Sequence, residues 1–481
     1  VPSENNAPSQ KSFEFQWVVV LGLLFISIIT GIFSGSLNEN IKILFLIIIF
    51  GLSVILLVFL PTSITKYVLA VFLFVFIAAY DFVGYAPIFT VPIKIYFADG
   101  ILLFMVVLVI HLFFHRVSIL DLNSPITLLI LLNFAFGIIA VIIGYYVGNT
   151  TNNILGDFRR FFLYPLVTFL PLSIKIKRSE WKKIFFIFCL SLLSICVIGF
   201  IRVITNTSWD PDQFSATNQF RAIGYFSGIL LCIGVGLVYS VSINYRGWKK
   251  ISLLLILVLF EAAIFASGYR LLWILGVFLP LFITFFSSRG FGKAFRLLGI
   301  SVAIVLFLAA LSYIVESLSP DVYYRLINRI YTTINDLDFR NNVRYFAWTS
   351  AWAQFMSSPI IGIGIGNQFE FISLNSNGQY VISHLTTHNI LMSLLYQTGI
   401  IGAGFFLAIH TFFTAEICKG MSKLNRHNRI LILGMLAGYF SALIMGMVQP
   451  SFESPGAIVI FYFFVGVILN IYRVFASDVN E

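Results

Sequence analysis

Charge is what this chain has least of. Only 10% of its 481 residues are Asp, Glu, Lys or Arg, against about 25% in soluble domains. That excludes an ordinary water-covered globular surface, and no cluster of bases marks a nucleic-acid-binding face. Cysteine is scarce too: Cys189, Cys196 and Cys232 fall inside apolar runs and Cys418 at the end of one, which implies neither a disulfide framework nor a metal knuckle. The pair His384 and His388 in HLTTH lacks the Glu of a zinc-protease helix and an evident third ligand, so no metal site is indicated. Long polar stretches are missing as well, except for one interval that ends near His388.

What is present is hydrocarbon. Apolar residues make up 59% of the chain, and a bilayer crossing takes about 20 mostly apolar residues in a row. About fourteen such runs can be traced, at 17 to 34, 42 to 60, 64 to 80, 96 to 114, 126 to 147, 160 to 174, 184 to 203, 222 to 243, 251 to 266, 269 to 286, 296 to 315, 389 to 415, 428 to 448 and 456 to 475. The fold class is therefore an all-α polytopic membrane protein with about 14 transmembrane helices. A polar tail at 1–16 precedes a bundle at 17–315 with about eleven spans; a large loop follows at 316–387, then about three spans over 388–475 and a tail at 476–481. The polar first ten residues read as a processed end or an added scar, and the run after Trp17 as a retained first span.

Lys and Arg near helix ends are held on the cytoplasmic side. KIKRSEWKK, YRGWKK, SRGFGKAFR and KGMSKLNRHNR occupy alternate loops, which places them, with Lys11, Lys66, Arg116, Arg473 and both termini, on that side. The net charge of +10 reads as topology and contact with anionic membrane lipids. The basic residues left for the outer side are Lys42 and Lys94 against Arg159, Arg160, Arg202, Arg221, Arg270, Arg325, Arg329, Arg340 and Arg344. A generic need for positive charge does not explain that skew. Arginine's planar fork suits bidentate binding of phosphate and keeps its charge when partly desolvated, and an outward set at headgroup depth fits the diphosphate of a polyprenyl-linked substrate. Each one taken alone also fits snorkelling to the headgroups.

The outer loop is far longer than the usual connection of about 4 to 6 residues. SLSPDVYYRLINRIYTTI predicts an amphipathic helix starting at Ser319 or Pro320, with Tyr324, Ile327, Ile330 and Tyr331 on one face. NNVRYFAWTSAWAQFM predicts a second, with Tyr345, Trp348, Trp352 and Phe355 at spacings of three or four. Both read as interfacial helices, and Arg340 and Arg344 would stand one turn apart. GIGIGN lacks the strand, helix and downstream acid of a nucleotide-binding fold, so it reads first as a tight turn of backbone back toward the membrane and second as a phosphate cradle. His388, at the mouth of the next span, can accept a proton near neutrality or simply cap a helix.

SGYR at Ser267 to Arg270, Arg344 with Trp348, SPIIGIGIGN at Ser358 to Asn367, and THN at Thr387 to Asn389 followed by Gly399 and Gly402 together resemble the O-antigen ligase and polymerase superfamily over roughly residues 250 to 415. These bacterial inner-membrane enzymes transfer glycans from undecaprenyl diphosphate on the periplasmic face. The resemblance implies a metal- and cofactor-independent inverting glycosyltransferase whose large loop is periplasmic. It further implies His388 as base or acceptor-positioning residue and Arg270 and Arg344 as diphosphate binders, with Arg159, Arg160, Arg221 and Arg340 as further candidates. Tyr269 stands where the family pattern has a smaller residue. The implied partners are an undecaprenyl-diphosphate-linked glycan donor, a lipid-linked or lipid A core acceptor, membrane lipids and a chain-length regulator. The span count favours an O-antigen polymerase over a ligase. A lipid-linked glycan flippase or transporter is the reading from another class, since Asp99 and Glu261 are intramembrane acids; no inverted repeat supports it.

Overall fold

The computed structural model describes residues 77, 99, 124–174, 176–208, 220–288, 292–335, 343–367, 370–374, 380–384, 387–448, 452 and 454–477. Among these, eight helices are long and apolar enough to cross a membrane. They are α1 (Pro125–Tyr146), α4 (Arg178–Ile204), α5 (Tyr225–Ser242), α7 (Arg270–Ser287), α8 (Gly292–Leu318), α11 (Ile390–Met421), α12 (Arg426–Val448) and α13 (Pro455–Ser477). Apart from residues 77 and 99, the four spans expected before residue 115 lie outside the described residues. A ninth apolar helix, α6 (Trp248–Ala266), carries Lys249, Lys250 and Glu261 along its length.

The run expected to span at 160 to 174 is helical but not one regular helix. After α2 (Thr151–Phe158), Arg159–Leu163 forms a π turn, Tyr164–Thr168 a 3-10 turn and Phe169–Leu172 the short α3. Pro165 and Pro171 are the physical reason, because each removes an N–H from the helical ladder. The carbonyl that Pro165 would have served in an α-helix, that of Phe161, instead accepts from the Asn133 side-chain amide of α1 at 3.0 Å. Near Pro171, the Asn470 amide of α13 donates to the carbonyls of Pro171 and Ile174. Away from water every such group needs a partner, and these two asparagines are buried for that purpose.

Helix α5 is central and buried along nearly all of its length, whereas α8 is exposed almost all round. Exposed Leu, Ile and Phe on outer helices are what a lipid-facing surface requires. Gly236 of α5 and Gly434 of α12 face each other so closely that a Cβ on either would overlap the partner's carbonyl oxygen; their absence lets the two backbones touch. At one end of the bundle, Arg473 of α13 bonds Glu416 of α11 at 3.3 Å and Ser124 before α1 at 3.1 Å. That end carries the lysine-rich loops, and the outer arginines sit at the other.

The loop's two helices form as expected, α9 (Pro320–Asn335) and α10 (Val343–Ser357). In α9 it is Val322 and Leu326 that pack on Val203, Phe220, Ala222 and Phe265, and Tyr324 points outward at 64% exposure. In α10 the seat is Ala347, Ala351 and Phe355 against Tyr396 of α11, with Trp352 outward. The buried contacts are made by Val322 and Leu326 in α9 and by Ala347, Ala351 and Phe355 in α10, while Tyr324 and Trp352 face out. The loop also contains an antiparallel hairpin absent from the sequence expectation: β1 (Glu370–Leu374) pairs with β2 (Tyr380–His384).

Candidate functional site

The glycine-rich stretch and α11 form one unit. Helix α11 is interrupted at Gly399 (φ 64°, ψ −165°), a region of backbone space that is essentially open to glycine alone. The break frees backbone groups on both sides, and residues 359–364 satisfy them: Ile400 N donates to Pro359 O at 2.9 Å, Ile401 N to Ile360 O at 3.3 Å, Ile363 N to Tyr396 O at 2.9 Å and Gly364 N to Gln397 O at 3.0 Å. Gly362 (φ 72°) lies against the Gln397 carbonyl with no room for a side chain. GIGIGN is thus a backbone turn that docks on a broken span, the first of the two sequence readings.

The same turn holds the segment that carries Arg159 and Arg160. Asn149 donates to Ile365 O at 2.9 Å, and the buried Asp157 carboxylate accepts from Gly366 N at 3.0 Å while forming an ion pair with Arg160. Arg159 forms an ion pair with Asp99 at 2.7 Å, and Tyr164 donates to the other Asp99 oxygen at 2.8 Å. Asp99 therefore has an arginine and a tyrosine as partners, which accounts for an acid at that depth without an ion pathway. Asp157 escaped the sequence reading; its one signal was its place three residues before Arg160. Changing Asp157 to Asn keeps an acceptor for Gly366 but removes the charge beside Arg160. A loss of about 1.5–3 kcal/mol is expected, read as a lower unfolding temperature in detergent.

A second group lies where α4, α5, α6 and α7 end. Arg221, only 5% exposed, has its guanidinium carbon 4.7 Å from the Tyr269 ring centre and 5.4 Å from that of Tyr225, and the two rings are 4.0 Å apart. Such cation–π contacts hold a planar fork in place. Tyr269 is the wall on which Arg221 rests. Arg202 donates to Ala222 O at 3.0 Å and Ala222 N to Ala266 O at 3.1 Å, so the backbone just after Arg221 is pinned between α4 and the end of α6. Gly268 (φ 70°) turns the chain so that Tyr269 becomes the N-cap and Arg270 the first residue of α7. Helix α9 covers this group through Val322 and Leu326, which brings Arg325 to the same end.

The third group is the THN turn. Trp348 of α10 donates to Thr387 O at 2.7 Å, the Thr387 hydroxyl lies 2.6 Å from that of Ser393, and Asn389 caps α11 by accepting from Met392 N at 3.1 Å. The turn is thus fixed on both sides of His388, whose own φ of 52° is unusual for a residue with a side chain. Strain of that kind persists where the surroundings over-determine it and clusters at functional positions. Arg344 falls in the first turn of α10, four residues before Trp348, and its side chain, like Arg340 as a whole, lies outside the described residues. His384 ends β2 opposite Glu370, so it shares no helix with His388.

A helical multi-pass membrane protein with arginines and a strained histidine turn gathered at one end is the class that fold and site define. Residues 251–407, a third of the chain, match the family model described as O-antigen ligase, which supports a likeness to the O-antigen ligase and polymerase superfamily. The match spans α6 to the first half of α11 and so contains Arg270, α9, α10, the glycine turn and His388. No curated protein matches the chain.

Proposed function

We propose that the protein is an inverting glycosyltransferase of the bacterial inner membrane that moves a glycan from undecaprenyl diphosphate to a sugar hydroxyl on the periplasmic face. The acceptor is a second lipid-linked repeat unit, which makes the product a polymer of the O-antigen kind. The observation that carries this reading is the buried Arg221 fork on its tyrosine wall beside Arg270, at the same end as the His388 turn and inside or next to the matched region.

In this reading His388 accepts the proton of the acceptor hydroxyl as its oxygen attacks C1 of the donor sugar. The bond from C1 to the phosphate oxygen breaks, and undecaprenyl diphosphate leaves with the bonding electrons. The forks of Arg221 and Arg270 bind the diphosphate more strongly as that charge develops, with Arg344 and Arg340 supplied by the loop. Arg159 and Arg160 already hold carboxylates, so their role is to shape the floor of the site. The membrane confines both substrates, and their held geometry supplies part of the acceleration.

The family description favours one second reading, transfer to lipid A core as a ligase. Purified protein in liposomes with lipid-linked repeats alone separates the two. A lengthening glycan ladder is the polymerase outcome, and product that forms only when lipid A core is added is the ligase outcome. Movement of labelled lipid-linked glycan across the bilayer without a new glycosidic bond would overturn both. Arg270→Lys keeps the charge and loses the fork; the expected result is a rise of about tenfold in donor KM, the equivalent of about 1.4 kcal/mol, and an unchanged KM would reduce Arg270 to a generic positive charge.

A further inference from the structure

At the end of the bundle opposite the arginines lies a cavity of about 670 Å³, within the size range of ligand sites. Its walls are apolar and come from five helices, with Phe185 of α4, Leu237 of α5 and Phe464 of α13 among them. The basic part of its lining comes from helix starts: Lys182 in α4, Lys249 in α6 and His427 in α12. The Lys249 ammonium is steadied 5.9 Å from the Tyr245 ring centre. Among the described residues that line the cavity, none is Asp or Glu.

Trp181 lines it as well. It is 7% exposed, and its indole N–H meets no acceptor among the described residues. A buried donor without an acceptor is costly and rare. An occupant that carries oxygen on a hydrocarbon body would meet it, and the lysines would meet a negative charge on the same molecule.

We infer that this cavity binds an anionic glycerophospholipid from the leaflet on the lysine-rich side. Its acyl chain lies between α4, α5 and α13, its phosphate faces Lys182, Lys249 and His427, and a phosphate or ester oxygen accepts from Trp181. The lipid is not a substrate in this assignment, because the cavity is at the far end of the bundle from the arginine groups. It joins helices that would otherwise leave a void, and the site stands whether or not the proposed transfer reaction is correct.

The test uses the full-length protein in detergent, titrated with phosphatidylglycerol whose acyl chains are brominated, and separately with phosphatidylcholine carrying the same chains. Tryptophan fluorescence is recorded, and the Trp181→Phe protein isolates the share due to that residue. The expected result is saturable quenching assigned to Trp181, at roughly tenfold lower concentration of phosphatidylglycerol than of phosphatidylcholine, since each lysine near a phosphate favours the anionic lipid. Unbrominated phosphatidylglycerol should reverse it in the unaltered protein, a readout that needs no variant. Replacing both Lys182 and Lys249 by Gln should remove the preference. Equal quenching by the two lipids overturns the inference, as does quenching that persists in full without Trp181. Absence of quenching overturns it too, and would mean that other parts of the chain fill the space.

Discussion

Replacing His388 by Ala is expected to lower glycan transfer by about 10²–10⁴-fold, the range for loss of a general base, with the protein still inserted and folded. The expectation rests on the turn as much as on the imidazole. Thr387 and Asn389 are tied to Trp348, Ser393 and Met392, so the backbone keeps its path when the side chain between them is shortened. The φ of 52° complicates any single substitution, because alanine at that angle carries backbone strain of its own. His388→Gly removes both the imidazole and the strain. If the imidazole takes the proton, both variants lose transfer while Gly raises the unfolding temperature. If His388→Gly transfers glycan at the full rate, the residue is only a turn former and the proposed role fails. Activity is read as ladder formation in liposomes, and folding as the unfolding temperature.

Gly399→Val is the second large effect and acts on the fold. A valine there must adopt φ 64° and ψ −165°, and its Cβ would overlap the Ile360 carbonyl. The strain costs about 1–3 kcal/mol. Loss of the four hydrogen bonds between 359–364 and α11 adds about 0.5–1.5 kcal/mol each. Together these approach the whole stability of a typical domain, about 5–15 kcal/mol. Little folded protein is expected, with rapid proteolysis between residues 343 and 389. Gly404→Ala in the same helix is the control, since a Cβ there meets nothing within 4 Å; it should behave as the unaltered chain. Wild-type stability in Gly399→Val would mean that the glycine turn does not depend on the broken helix.

These two predictions differ in how far the sequence alone leads to them. His388 stands out in the sequence because it is a proton acceptor at the mouth of an apolar run, in a chain with six histidines. Gly399 stands out only as a residue of a recognised pattern; nothing in the local sequence announces that its φ is positive or that Pro359 and Ile360 lie beside it. The arginines divide in the same way. Their outward skew is legible from composition and loop alternation, but the pairing of Arg159 with Asp99 and of Arg160 with Asp157 joins residues whose spacing gives a weak signal or none. Tyr225 and Tyr269, which hold Arg221, are ordinary aromatics until the two chain segments meet.

The apolar runs indicated by themselves that the chain crosses a membrane and, among the described residues, where most of the long helices begin and end. Those properties follow from local hydropathy and from charge near helix ends, and each can be read within a window of about 20 residues. Only the tertiary structure decided that the run at 160 to 174 is an irregular helix held by Asn133 and Asn470, that α9 seats Val322 and Leu326 on the ends of α4 and α6, and that the glycine turn is docked on the break in α11. The reason is common to all three. Inside a bundle, a backbone group or side chain takes its partner from a helix distant in sequence.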